Sequence, residues 1–496
     1  MSTNGKDIST IELCSVPASY GKGANDGAYY PVGLLTLGTH LRRTLTDLKV
    51  TVVDLHHDNH FNPTADLVGI SASSTLNYQN VLALAKKAKD AGSIVVLGGP
   101  HASQLAEQVL RNRQGLIDYI ITGNAEKACV TLTQALRLGD DLSAVPALCW
   151  RKTGGEVICN APPLLPWRYD DFLPLDISLL PSGLEPYWSA FRNRIDPSVD
   201  AAFVVFTHFG CGYREMMRRH NGTGHRLTRW CSYCSLNDSL SMRAGQAIVE
   251  ETLQLLTSCR VAPKSNVLLK CYGDNVGTQK EMLSDLASAI ESSDEWKNYQ
   301  IGWTFYAQSS RVSDELIRLL LRVGTKNIYI GFDAIDDDVQ RLNGLGTSTK
   351  AHHQAVRLCE DNGIKVQAGF VLGCAGETQQ SLAKVLKFAE DLASRGVLER
   401  INSAIFTIIP GSPAYSLLCE REPWVKYLDS LPTEELQWLW IKHFCPELGR
   451  NPTEGMKLLR QIANRVDDLS PGPHASMGFE SGRLISDLVA VGDPPL

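Results

Sequence analysis

Short β-branched runs alternate with amphipathic stretches of helical period over two long parts of this chain, the signature of parallel βαβ units rather than of hairpins or helix bundles. In the first part the runs fall at 11–16, 50–55, 67–71, 94–97 and 119–121, with helical patterns at 34–44, 78–91 and 103–111. This predicts an α/β, doubly wound, Rossmann-like sheet, which binds ligands at the carboxyl ends of its strands. In the second part, runs at 202–207, 266–272, 300–306, 327–332, 365–372 and 401–408 are separated by helical patterns near 246–258, 280–292, 314–322, 350–362 and 378–395. Six consecutive βα units predict a partial (β/α)6 barrel of the TIM type, with its chemistry at the strand carboxyl ends.

Between the two, Pro162, Pro163, Pro166, Pro174 and Pro181 break the rhythm, so the stretch is expected to be a linker with little regular structure. Helical patterns at 434–444 and 453–466 close the chain. The expected division is a ligand-binding domain over 1–140, a linker over 141–198, a barrel over 199–415 and a helical segment over 416–496.

Charge adds exclusions. With 48 Lys+Arg against 54 Asp+Glu, the net charge of −6 advertises neither nucleic acid nor an anionic membrane. The longest apolar runs fall far short of the roughly 20 residues of a membrane span. The polar start Met1–Thr10 shows no secretory signal, which points to the cytoplasm. The 13 cysteines are therefore expected to be thiols or metal ligands and not a disulfide framework.

Three of them stand out. Gly210-Cys211-Gly212-Tyr213-Arg214 follows the first strand of the second part, and Trp230-Cys231-Ser232-Tyr233-Cys234 comes later in the same connection. Three thiolates after a barrel strand can hold three irons of a [4Fe–4S] cluster and leave the fourth iron open. Here the chain resembles the radical S-adenosylmethionine (SAM) superfamily, whose usual loop is C-x3-C-x2-C; nineteen residues separate Cys211 from Cys231 instead of three. Lengthening a flexible loop that much adds only about 1.6 kcal/mol of closure entropy. Asn221-Gly222 is a turn signal, so the insert is expected to fold back as a hairpin that returns Cys231 to Cys211. Its Arg214, Arg218, Arg219, His220, His225, Arg226 and Arg229 are read as a solvated face, with an anionic substrate as the functional alternative.

The resemblance continues downstream. Tyr272-Gly273-Asp274-Asn275 ends the second strand where the superfamily holds the methionine amino group. Gly331-Phe332-Asp333 resembles its ribose-binding Gly-Phe-Glu, and Gly369 through Thr378 its fifth-strand signature. Leu342-Asn343-Gly344 corresponds loosely to an Asn-Lys-Gly-Thr turn, and Pro410-Gly411-Ser412 to the turn after the sixth strand. The resemblance implies SAM contacts at Tyr233, Gly273, Asp274, Asp333 and Gly369, and Glu377 is read as structural.

In the first part, Ser71, Ser73, Ser74 and Thr75 end one strand, Gly98, Gly99, Pro100 and His101 the next, and Gly123 and Glu126 follow the last. Small residues at three strand ends let a large planar ligand approach the backbone. This set resembles the cobalamin-binding domain fused to radical SAM enzymes, which implies cobalamin at these ten residues. Asp54-x-His56 imitates a cobalt-ligand motif, but it follows the wrong strand and Asn59 replaces the motif's Gly; no protein ligand to cobalt is expected.

The family resemblance implies a [4Fe–4S] cluster, SAM and cobalamin acting together. It implies methylation of an unactivated carbon of a small molecule through a 5′-deoxyadenosyl radical, with an external donor of flavodoxin or ferredoxin type. Rearrangement or cyclisation without methyl transfer, and a cobalamin-binding sensor without catalysis, are the alternatives.

Overall fold

The computed structural model describes residues 5–18, 27–58, 61–162, 173–218, 227–236 and 240–471. The first sheet comprises β1 (Thr10–Ser15), β2 (Lys49–Asp54), β3 (Leu67–Ser71), β4 (Ile94–Gly98), β5 (Tyr119–Ile121), β6 (Leu148–Arg151) and β7 (Val157–Cys159), in the order β2-β1-β3-β4-β5-β6-β7. Its first five strands are parallel, as the alternation predicts. Strand order reverses between β1 and β3, the position at which open α/β sheets bind ligands.

The stretch expected to be an irregular linker is corrected in part. β6 and β7 form a hairpin that extends the first sheet antiparallel to β5, and a helix runs over Glu185–Arg194. The signal was present in Gly154-Gly155, flanked by Leu-Cys-Trp-Arg and Val-Ile-Cys; Gly155 takes a φ of +87° that favours glycine. Cys149 and Cys159 lie directly opposite on this hairpin and form a disulfide, so two of the cysteines expected to be thiols are paired. Cys14, Cys129, Cys271, Cys359, Cys374 and Cys445 are buried thiols, whereas Cys259 and Cys419 are half-buried. The helical pattern at 103–111 is realised as two short helices, Pro100–Gln104 and Ala106–Asn112.

β8 (Ala201–Phe206) opens the second sheet. β9 (His208–Phe209) and β10 (Ser241–Met242) pair with each other, and β11 (Asn266–Tyr272), β12 (Gln300–Gln308), β13 (Thr325–Asp333), β14 (Lys365–Leu372) and β15 (Leu398–Ile405) complete the large sheet. Its order, β15-β14-β13-β12-β11-β8, is parallel throughout, the partial barrel that six βα units require.

Both edges are covered, which removes the pairing hazard of an open sheet. At β8, the Tyr30 hydroxyl donates to the Val204 carbonyl at 3.0 Å and accepts from its N–H at 3.1 Å. At β15, the Ser403 N–H donates to Asp467 at 2.8 Å, from the last described helix, Pro452–Asp467. The turn after β15 meets the first sheet as well: a Cβ on Gly411 would collide with Gln104, in the helix that follows β4. One apolar core runs from Ile70, Leu97 and Ala102 of the first sheet's layer to Ala334, Cys374 and Phe406 of the second. Among the described residues no helix is long and apolar enough to cross a membrane.

Candidate active site

The long Cys211–Cys231 connection is closed at its base. β9 and β10 pair on either side of it, with Phe209 opposite Ser241 and His208 opposite Met242. The insert opens as a helix, Gly212–Arg218, and not as a strand; the side chain of Arg218, and residues 219–226 with the expected Asn221-Gly222 turn, Arg219, His220, His225 and Arg226, lie outside the described residues. Arg214 lies over the Trp230 ring, 5.0 Å from its centroid, so this arginine packs on an aromatic and does not stand free in water.

The chain's return is fixed by hydrogen bonds. Ser232 donates its N–H to the Asn343 carbonyl and its hydroxyl to the Asn343 carboxamide, each at 3.0 Å. Asn343 in turn spans to Ala375 after β14, donating at 2.9 Å and accepting at 3.1 Å. Gly344 has a φ of +63°, and a Cβ there would meet the Trp230 carbonyl at 2.7 Å. The expected turn at 342–344 therefore clamps the cysteine loop.

The three thiols feel one another. Burial raises all three; the charges of Cys234, Asp333 and Cys211 raise Cys231 further, and Cys211 and Asp274 add to Cys234, which stands at about 11. The sulfur of Cys211 also receives the N–H groups of Tyr213 and Arg214. Three half-buried thiols whose pKa values burial raises, with Asp274 and Asp333 nearby, hold thiolates poorly unless a cation takes them, and three such thiols are a donor set that fits an iron–sulfur cluster. Among the described residues no three His, Cys, Asp or Glu side chains close on a single metal ion. A cluster would instead take one thiolate at each of three irons.

Of the expected SAM contacts, Tyr233 and Asp333 meet: the Tyr233 hydroxyl donates to Asp333 Oδ2 at 2.7 Å. Asp333 ends β13 where the register with β14 slips, and its φ of +54° lies in the left-handed region, a strained position for a non-glycine residue. Burial raises its carboxyl to about 6, and the Tyr233 hydrogen bond opposes that rise. Gly273 presses on His208, whose ring a Cβ would strike, and Gly369 leaves room for the Tyr329 hydroxyl. Asp274 acts on the charges of Cys211, Cys234 and Cys271. Glu377 is fully buried and accepts the Gly373 N–H, the turn-forming role expected of it.

His208 escaped the sequence reading. Its Nδ1 lies 2.9 Å from Thr207 Oγ1, its Nε2 is buried without a partner among the described residues, and burial lowers its pKa to about 4, so the ring is neutral near pH 7. Its position three residues before Cys211 was the available signal.

At the carboxyl edge of the first sheet, the expected hydroxyls hold their own loop. Ser74 caps the turn at Thr75–Asn77, and the Asn77 amide donates to the Ser71 carbonyl at 3.2 Å and to Ser73 Oγ at 2.9 Å. Gly99 takes a φ of +92°, and a Cβ there would lie 2.8 Å from the Ala72 carbonyl, so only glycine fits between β4 and Pro100. Gly98 accepts the Ala72 N–H at 2.8 Å, and Gly123 donates to Ser103 at 3.1 Å. Ser73, Pro100 and Gly123 are exposed on this edge.

Two of the ten behave differently. His101 is buried with Nδ1 3.2 Å from Thr75 Oγ1 and Nε2 2.9 Å from the Asp429 carbonyl, so both ring nitrogens are already engaged. Asp429 also gathers Tyr78 at 2.9 Å and Arg113 at 2.6 Å, pinning the C-terminal part to the first sheet. Glu126 opens the helix Glu126–Leu138 with Oε2 buried and, among the described residues, without a partner; burial raises its carboxyl to about 7, and a hydrogen bond from its own N–H opposes that rise. A buried carboxylate oxygen that lacks a donor on a ligand edge is a fit for a bound group that carries donors, such as the amides of a corrin. His56 has Nδ1 2.7 Å from Asp54 Oδ1, and Asp54 also accepts from Tyr187 at 3.0 Å.

Comparison with known proteins agrees with this layout. Residues 26–133 match the B12 binding domain and residues 224–389 the radical SAM superfamily, a match that starts after Cys211 and includes Cys231 and Cys234. An uncharacterized methyltransferase of Pyrococcus horikoshii is 24% identical over 445 residues, covering 84% of each chain. The radical SAM methyltransferase TsrM from Kitasatospora setae, solved with cobalamin and a [4Fe–4S] cluster, superposes with a TM-score of 0.60 at 17% identity, covering 84% of this chain and 75% of its own. The cobalamin-dependent radical SAM enzyme OxsB, solved with aqua-cobalamin, gives 0.64 at 14% identity, covering 87% of this chain and 64% of its own. Of these relatives the Pyrococcus horikoshii protein and TsrM are methyltransferases, and with a B12 binding domain followed by a radical SAM domain on one chain, the protein is a cobalamin-dependent radical SAM enzyme.

Proposed function

We propose that this enzyme methylates an unactivated carbon of a small, specialised-metabolite substrate. The carrying observation is the convergence of Cys211, Cys231 and Cys234 beside the Tyr233–Asp333 hydrogen bond. Cys211, Cys231 and Cys234 would hold the [4Fe–4S] cluster. Tyr233, Gly273, Asp274, Asp333 and Gly369 would seat SAM, and the β3–β5 edge with Glu126 would seat cobalamin. When bound, these groups supply a 5′-deoxyadenosyl radical and a transferable methyl group. The protein's part is to order the two faces, keep water from the radical and hold Asp333 against Tyr233. His101 acts in this reading as a pin between Thr75 and Asp429 and not as a corrin contact. An external flavodoxin- or ferredoxin-type donor of the cytoplasm would deliver the electron.

Anaerobic turnover with deuterated SAM tests the reading. A product heavier by one labelled methyl group supports it. Deoxyadenosine formed with an isomerised or cyclised product of unchanged mass replaces it with rearrangement. Cobalamin bound without iron–sulfur absorption, and unaffected by Cys→Ala changes, replaces it with a sensor.

A further inference from the structure

The inner face of the barrel carries a feature that none of the cofactor assignments uses. In a parallel sheet paired residues point to the same side, and the outer positions of β11–β13 are filled by Leu269, Phe305, Ile330 and Phe332 under the helices. The opposite side presents Lys270, Tyr306, Tyr329, Gln367 and Arg400, joined by the register Tyr306↔Tyr329↔Gln367↔Arg400. Tyr29 enters from the first domain, just before the Tyr30 contact that closes β8.

These groups differ in how well they are satisfied. Arg400 donates to Gln367 Oε1 at 2.8 Å; Gln367 and Asn327 donate to Glu399 at 3.1 and 3.3 Å, so a carboxylate accompanies the guanidinium. Among the described residues Lys270 pairs with no carboxylate. Its Nζ lies 4.1 Å from the Tyr29 ring centroid and 5.8 Å from that of Tyr306, and it makes no hydrogen bond among the described residues. An ammonium has three donors, and aromatic faces satisfy none of them as an oxygen would. Burial, with Arg400 adding to it, lowers the ammonium to about 8, which still leaves it mostly charged near pH 7.

The Tyr306 and Tyr329 ring centroids stand 5.2 Å apart, and both side chains, like Lys270, are only half-buried; the Tyr329 hydroxyl fills the space that Gly369 leaves, and Gly331 lies beside Asp333 further along β13. Tyr272, 48% exposed, sits two residues along β11 from Lys270 at the carboxyl end. A charge on β11, half-buried aromatic walls beside it and Asp333 further along β13 toward the cysteine end form a binding sequence with one direction.

The geometry points to the barrel interior as the substrate site, with Lys270 anchoring an anionic group, carboxylate or phosphate, of a substrate whose flat body lies along Tyr29, Tyr306 and Tyr329. The inference rests on the proposed reaction only in naming what is bound a substrate. It places the substrate's acid away from the cysteines and its reacting carbon toward Asp333.

The test is calorimetric titration of the anaerobic, cofactor-loaded full chain with indole-3-acetate and with indole-3-acetamide, which match in size and differ in charge. The acid is expected to bind at least about tenfold more tightly. In K270M that preference disappears while the amide binds as before, and K270R keeps part of it. Phenyl phosphate in a parallel titration separates the two anions, the tighter probe naming the group. Equal binding of acid and amide by the unaltered chain, no binding of any probe, or an undiminished preference in a folded K270M overturns the inference. If K270M does not fold, the acid-to-amide ratio of the unaltered chain decides alone. Cluster absorbance and cobalamin retention are read on the same samples: their absence defeats the cofactor reading and leaves an anion preference standing, whereas their presence with equal binding defeats only the anchor.

Discussion

Ser232, between two cysteines of the candidate cluster loop, gives both its N–H and its hydroxyl to Asn343, on the turn before the 349–361 helix. Asn343 is fully buried and also holds Ala375, so one side chain ties the cysteine loop to the ends of β13 and β14. Replacing it with Ala strands the Ser232 hydroxyl and both Ala375 main-chain groups. N343A is expected to lose about 3 kcal/mol and to show a lower denaturation midpoint. Its iron content after reconstitution should fall while cobalamin retention stays near that of the unaltered chain.

C211A, C231A and C234A are each expected to abolish iron–sulfur absorption and SAM cleavage, since each would remove the proposed ligand of one iron. Cobalamin binding, measured by its visible spectrum, should persist in all three. The strongest check is C211A, because Cys211 lies outside the matched radical SAM segment.

At Gly369 a methyl group would collide with the Tyr329 hydroxyl across β13 and β14. G369A is expected to cost about 2 kcal/mol through overpacking. Y329F removes the oxygen, so G369A/Y329F should regain part of that loss. Thermal melts of the single and double variants measure the coupling.

Burial raises Glu377 from 4.5 to about 8, with the Gly373 and Cys374 N–H groups opposing the rise. A folded value above the unfolded one means that the folded chain takes up a proton. Stability from this group is complete below pH 4.5 and is lost as pH climbs through 8. The loss should amount to roughly 3–5 kcal/mol between pH 5 and 9. E377Q should flatten that part of the stability profile, measured by chemical denaturation across pH.

The Tyr30 hydroxyl serves both main-chain groups of Val204 on the barrel's edge strand. Y30F leaves a buried N–H and carbonyl unpaired and is expected to cost about 2 kcal/mol. Limited proteolysis should then open the junction between the two domains before either sheet.

The alternation of β-branched runs determined the parallel strands of both sheets. Strands of βαβ units are buried on both faces and leave a continuous apolar signature that needs no knowledge of neighbours. Residue type and spacing likewise marked the cysteines, the Tyr233 beside them, and Gly99, whose positive φ a Gly-Gly-Pro run announces. The β6–β7 hairpin was written only in a Gly-Gly between two short runs, too brief for periodicity to separate from the prolines that follow. Its disulfide depends on register, which sets Cys149 opposite Cys159. Tertiary structure alone decided the rest, because those relations join residues far apart in the chain. Asp429 captures His101 from 328 positions away, and Tyr30 reaches Val204 across 174. The nineteen-residue gap within the cysteine trio closes because β9 pairs with β10 and Asn343 grips Ser232; these contacts, unlike the cysteine spacing, leave no local pattern to read.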